Sequence, residues 1–187
     1  MTIDDLAILV VDACEQEEVA YMMTGAFAFG VHAVPRGTKD IDVVIEIDEP
    51  TVISRVIGRL SHEVEFGEQV QFDTLTWGKR HIGRAREAPQ LQVELFELFD
   101  DPFVLEQFKR RLKLPSPSLA RELWIPTAED VIVQKIRWAR AKDLDDARDV
   151  LAVQGIESLD MDYIRHWCTA HGTLERLDGT LASLPDF

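Results

Sequence analysis

Ile3, Leu6, Ala7, Val10, Val11 and Cys14 recur at the spacing of one helical face and predict a helix over residues 3–18. The short apolar run 19–23 that follows reads as a strand entering a tight turn at Thr24-Gly25. Residues 26–34 then read as a short helix that stops before Pro35. Residues 40–48 are rich in β-branched side chains and predict a strand with at least one buried face. From Glu49-Pro50, the positions Val52, Ile53, Val56, Ile57 and Leu60 predict a helix running to about residue 65. Residues 70–77 alternate like a strand, a basic loop follows, and residues 91–99 form a further strand in which Leu91, Val93, Leu95 and Phe96 are apolar.

The pattern changes at Pro102. Residues 101–114 read as a helix, and residues 115–126 as a connector with one extended piece, Glu122 to Ile125. Thr127, with Asp130 three residues on, is an N-cap ahead of the apolar positions Val131, Ile132, Ile136 and Ala139. Further helices are expected over residues 143–153, 160–170 and 173–183, with Trp124, Trp138 and Trp167 packing them. The expectation is an α+β chain without internal repeats: a short mixed β-sheet flanked by helices over residues 1–115, and a helical region over residues 116–187.

Composition narrows this further. With 187 residues, 46% of them hydrophobic, the chain can bury a sizeable core. No apolar run reaches the ~20 residues that span a bilayer, and the first residues carry acids where a secretory leader has bases, so a cytoplasmic protein without membrane contact is expected. Cys14 and Cys168 lie far apart without metal-type spacing and read as core thiols. The net charge of −14 argues against nonspecific DNA binding. Two basic patches run against it, Lys79, Arg80, His81, Arg84 and Arg86, and Lys109, Arg110, Arg111 and Lys113; each is either a solvated surface or the lining of an anion site.

Asp40 and Asp42, at i and i+2 on a strand, point to the same face, within reach of one cation. Two ionised carboxylates side by side repel, and a hard divalent ion such as Mg²⁺, which takes one or two carboxylates plus water and phosphate oxygens, offsets that repulsion. Gly25, opening a helix, offers backbone N–H groups to a phosphate. Glu94, in the middle of the strand 91–99, completes a triad if that strand lies beside the first, and three acids in a cleft permit two-metal phosphoryl transfer. Each feature also has a plainer reading: two solvated strand-end acids, a turn glycine, and a strand whose polar face carries Gln92 and Glu94.

The runs Thr24-Gly25-Ala26, Pro35-Arg36 and Thr38-Lys39-Asp40-Ile41-Asp42 resemble the signature of the nucleotidyltransferase superfamily, the fold of DNA polymerase β. The similarity is strongest to small bacterial nucleotidyltransferase-like proteins related to abortive-infection toxins, and it extends over most of the chain. It implies a nucleotidyltransferase fold with the helical region closing one side of the cleft. It further implies Asp40, Asp42 and Glu94 as catalytic metal ligands, with Thr24, Gly25, Ala26, Arg36, Thr38 and Lys135 around the nucleotide. Lys142, Asp143, Asp146 and Asp149 fall where relatives carry a charged helical motif facing the cleft. Two positions depart from the pattern. Ala26 replaces a Ser or Gly, and Glu94 replaces an Asp, moving the carboxylate about one methylene, a displacement that can cost roughly 100-fold in rate. The expected function is Mg²⁺-dependent transfer of a nucleoside monophosphate from an NTP to a small molecule, a protein side chain or an RNA end, the last docked on Lys79, Arg80, Arg84 and Arg86. The alternative is a degenerate member that binds nucleotide or a protein partner, as in a toxin-antitoxin or regulatory pair.

Overall fold

Thr2 and Asp5 close a capping box at the head of α1 (Ile3–Gln16): the Asp5 N–H donates to the Thr2 hydroxyl and the Thr2 N–H to the Asp5 carboxylate. The computed structural model describes residues 1–73 and 78–184. The helix stops short of residue 18 because Glu18 takes φ 56°, turning the chain into β1 (Tyr21–Met23). After α2 (Gly25–His32) come β2 (Asp40–Ile45), α3 (Val52–Leu60), β3 (Val64–Phe66), β4 (Gln71–Phe72), β5 (Lys79–Ala85) and β6 (Gln92–Glu97). The sheet order is β1-β2-β6-β5-β3, with β4 on β5; β2 and β6 run parallel and the other pairs antiparallel.

Alternation on the two parallel strands separates structure from chemistry. Ile41, Val43, Ile45, Val93 and Leu95 are fully buried on one face; α1 packs on β2, and α3 packs on α1. Each contributes on the order of 2 kcal/mol by leaving water. Asp40, Asp42, Val44, Gln92, Glu94 and Phe96 alternate with them and occupy the other face.

Three elements differ from the sequence expectation. The helix predicted to residue 65 ends at Leu60, and Val64, 1% exposed, leads a strand into the core instead. The basic segment is β5 and not a loop, paired on one side with β6 and on the other with β3 and β4. Gly83 makes that packing possible: a Cβ there would lie 2.5 Å from Val64 Cγ1 and 2.9 Å from the Phe66 ring. The helix predicted over residues 101–114, α4 (Pro102–Arg110), opens on Asp101, which accepts the Phe103 and Val104 N–H groups, and then gives way to β7 (Leu112–Pro115). β7 pairs with β8 (Glu122–Ile125), so a single hairpin spans residues 112–125. Residues 74–77 of the predicted strand 70–77 lie outside the described residues.

The remaining helices are α5 (Ala128–Trp138), α6 (Ala141–Gln154), α7 (Met161–Ala170) and α8 (Leu174–Ala182). Thr127 caps α5 as expected, accepting the Asp130 N–H, while the Asp130 carboxylate accepts the hydroxyls of Thr127 and Tyr163. Trp167 packs edge-on against Phe103 with ring centroids 5.2 Å apart, and Trp124 lies under the Arg111 guanidinium. Cys14 and Cys168 are buried free thiols, as their spacing suggested, and burial pushes Cys14 up to about 12. No helix among the described residues is long and apolar enough to cross a membrane.

Candidate active site

The first turn of α2 is fitted to one carboxylate. The Thr24 N–H donates to the Asp42 carbonyl at 2.8 Å, fixing the turn to β2. Gly25 follows at φ 57°, and a Cβ at that position would lie 2.0 Å from Asp42 Oδ2. Only glycine meets both conditions. Asp40 shares the Asp42 face, and Glu94 stands directly opposite Asp42 in the parallel register, as the triad expectation required. Burial, and then the neighbouring charges of Glu94 and Asp40, push the Asp42 carboxyl up to about 6; Lys135 and Arg140 act in the other direction. No described residue donates a hydrogen bond to the Asp42 carboxylate.

These side chains form the floor of a cleft of about 200 Å³, walled by α5 and α6. Glu94 is engaged there. Arg80 Nη1 donates to its Oε2 at 2.9 Å, and Gln92 Nε2 to its Oε1 at 2.7 Å. The basic segment is thus not a continuous patch. Strand alternation sends Arg80 into the cleft, while Lys79 pairs with Glu97 and Arg86 with Glu65. The second basic run lies outside the cleft lining: Arg110 stacks on Tyr163 and Arg111 on Phe108, each at 4.0 Å from the ring centroid.

A buried ion network closes the opposite wall. Lys135, 8% exposed, donates to Asp143 Oδ1 at 3.2 Å and Asp146 Oδ2 at 2.7 Å. Arg36 reaches Asp146 through Nε and Nη2 at 3.0 and 2.8 Å, and Arg140 pairs with Asp143. Burial works to raise both carboxyls, but the pairings with Arg140 and Lys135 at Asp143, and with Arg36 and Lys135 at Asp146, outweigh it and hold both below the usual carboxylate range. Asp145 and Asp149, by contrast, form the solvated, ion-paired face with Arg148.

Thr24, Gly25, Asp40, Asp42, Glu94 and Lys135 therefore converge on one cleft. Ala26, Arg36 and Thr38 do not line it: Arg36 ties the β2 approach to α6, and the Thr38 hydroxyl accepts the Asp40 N–H at 3.2 Å, shaping the start of β2. Gln107, Gln134, Trp138 and Arg140 are among the lining residues that the sequence did not single out, and Arg80 was read there only as part of a basic patch. Trp138, expected to pack the helical tail, faces the cleft because Ala139 takes φ 53° and ends α5 there, leaving Arg140 4.6 Å above the indole ring.

Whether these residues suit a divalent cation can be asked of the donor set. Asp40 and Asp42 supply hard oxygen ligands on one face, and the raised Asp42 carboxyl marks a negative charge that Lys135 and Arg140 offset only in part. Two carboxylates fit such an ion. Among the described residues no group of three acid, His or Cys side chains is arranged around a metal position, in keeping with Glu94 being drawn onto Arg80 and Gln92.

Residues 1–178 match the family described as "Nucleotidyltransferase of unknown function (DUF6036)". The chain belongs to that family. Among curated proteins, none matches its sequence. The fold of this family member is shared with solved structures at low identity. The crystal structure of ANT(2″)-Ia in complex with adenylyl-2″-tobramycin superposes with a TM-score of 0.65 at 11% identity, covering 92% of this chain and 98% of that one. The solution structure of the same antibiotic-resistance factor gives 0.63 at 12% identity, covering 94% and 96%. An antigenic nucleotidyltransferase-like protein from Paracoccidioides brasiliensis gives 0.52 at 17% identity, covering 99% and 94%. The nucleotidyltransferase fold expected from the sequence is the fold observed.

Proposed function

We propose that this family member transfers a nucleoside monophosphate from an NTP to a hydroxyl or amine of a small-molecule acceptor, with Mg²⁺ held by Asp40 and Asp42. The observation that carries this reading is the seat of Asp42: a half-buried carboxylate without a hydrogen-bond donor among the described residues, pressed against a glycine at a helix head, with Asp40 beside it. When bound, Mg²⁺ would shield the charge of the triphosphate and polarise the phosphorus under attack. Gly25 and the following turn of α2 present backbone N–H groups to the phosphates. Lys135 holds its ammonium at the cleft wall, where its charge already reaches Asp42. Glu94, opposite Asp42 and lining the cleft, takes the proton of the acceptor. A small acceptor is favoured over an RNA end because Lys79 and Arg80 on β5, and Arg86 just after it, are split between separate pairings and form no continuous phosphate track.

The engagement of Glu94 by Arg80 and Gln92 also favours a second reading, a nucleotide-binding module that performs no transfer. Calorimetric titration with each of the four NTPs, with and without Mg²⁺, is the first test. Mg²⁺-dependent binding that is lost in Asp40→Asn/Asp42→Asn supports the site, and no binding at millimolar nucleotide overturns it. Glu94→Asp then separates enzyme from module: it should raise transfer in an enzyme impaired by the longer side chain and change nothing in a pure binder.

A further inference from the structure

Arg80 is a cation already resident at the third carboxylate. Its guanidinium lies 2.9 Å from Glu94 Oε2, and with Gln92 on the other oxygen it takes up both acceptor atoms of Glu94. Yet Arg80 is not held as a structural arginine usually is. Its Nε is buried without a hydrogen-bond partner, and its other side-chain hydrogen bond among the described residues, at 3.3 Å, is to Gln71 on the exposed two-residue strand β4. It also lines the cleft directly. A side chain with one strong ionic anchor, one weak anchor and one orphaned donor is poised to exchange that ionic anchor for another.

We infer that Arg80 is a positioning residue that competes with divalent cations for Glu94. While Arg80 and Gln92 occupy both Glu94 oxygens, Asp40 and Asp42 are left as a two-carboxylate seat of modest affinity. When Glu94 instead engages a cation with Asp42, its direct partner in the β2–β6 register, Arg80 is released facing the cleft, where an anionic triphosphate offers it a new partner. Cation and nucleotide binding are thereby coupled through one side chain: a cation frees Arg80, and the phosphates keep it away from Glu94.

This inference rests on the carboxylate site of the proposed function, and the test distinguishes the two. Mn²⁺ binding to the full chain is measured by the loss of its free-ion electron paramagnetic resonance signal, without nucleotide, for wild type, Arg80→Ala, Glu94→Gln, the double variant and Asp42→Asn. Arg80→Ala should tighten Mn²⁺ binding about tenfold, within the usual range for coupled sites, and the gain should vanish in the Glu94→Gln background. A merely structural Arg80 would weaken binding, and a merely electrostatic one would tighten it equally in both backgrounds; either result, or no change, overturns the inference while leaving the metal site standing. If neither wild type nor Arg80→Ala binds Mn²⁺ in a manner that needs Asp42, both readings fall together. Should Arg80→Ala not fold, Arg80→Gln removes the charge, keeps a hydrogen bond to Glu94 within reach, and carries the same expectation.

Discussion

A methyl group at position 25 would occupy space already filled by the Asp42 carboxylate, on a backbone whose φ of 57° disfavours any side chain. Gly25→Ala should therefore cost about 1–2 kcal/mol in backbone strain alone and displace Asp42 as well. The expected outcome is a melting temperature lowered by several degrees together with loss of Mg²⁺-dependent nucleotide binding, measured by calorimetry. Asp42 sets a pH dependence of definite sign. Its carboxyl is pushed up from 3.8 to about 6 in the fold, so its favourable contribution is full below 3.8 and is lost as the pH rises through 6. Above that, the cation-free protein carries a half-buried negative charge at a cost on the order of 2 kcal/mol, after allowing for water that enters through the cleft. Urea denaturation in EDTA should accordingly find Asp42→Asn more stable than wild type at pH 7.5 and the difference largely gone at pH 4. Equal stabilities at pH 7.5 would mean that the charge is compensated.

At the scale of elements, α6 acts as a clasp. Asp146 receives Arg36 from the approach to β2 and Lys135 from α5, so one carboxylate joins three separate segments. Asp146→Asn leaves Lys135 with Asp143 alone and Arg36 without its ionic partner; stability should fall on the order of 3 kcal/mol, read as a lower urea midpoint at unchanged slope. An unaltered midpoint would show that Asp143 suffices. The acids of this clasp were legible in the sequence as a charged helical motif, but their pairing with Arg36 was not, since 110 residues separate Arg36 from Asp146 and no local pattern encodes that contact. The same contrast runs through the fold. β2 announced itself by its β-branched residues and β6 by its apolar run, and Asp40, Asp42 and Glu94 by standing where an apolar run should not carry charge. β3 and β7, three and four residues long, are too short for any period to register, and each was absorbed into the helix before it. β5 was concealed differently: Lys79, Arg80 and Arg84 look like a solvated loop until β3 and β6 supply hydrogen bonds on both sides. Missing that strand also hid the role of Arg80, because alternation within β5 is what directs it onto Glu94.

On the scale of the whole molecule, a net charge of −14 sets the terms for an anionic ligand. A triphosphate approaching Asp40 and Asp42 meets repulsion from the site and from the surface alike, and the cleft cations Lys135 and Arg140 already spend much of their charge on Asp143. Nucleotide without a divalent cation should bind poorly. With both present, the charges balance across the cleft between the sheet and helices α5 and α6, and ligand bound only to the folded state stabilises it by about 2.7 kcal/mol at one hundred times its dissociation constant. For a chain of this length that corresponds to a rise in melting temperature of about 5–10 °C. Thermal unfolding should show little shift with ATP and EDTA, a small one with Mg²⁺ alone, and the full shift only with both, and Asp40→Asn/Asp42→Asn should abolish the last. A full shift with ATP and EDTA would instead place the triphosphate on the cations of the α5–α6 wall, so that the carboxylates of β2 would no longer be needed to explain nucleotide binding.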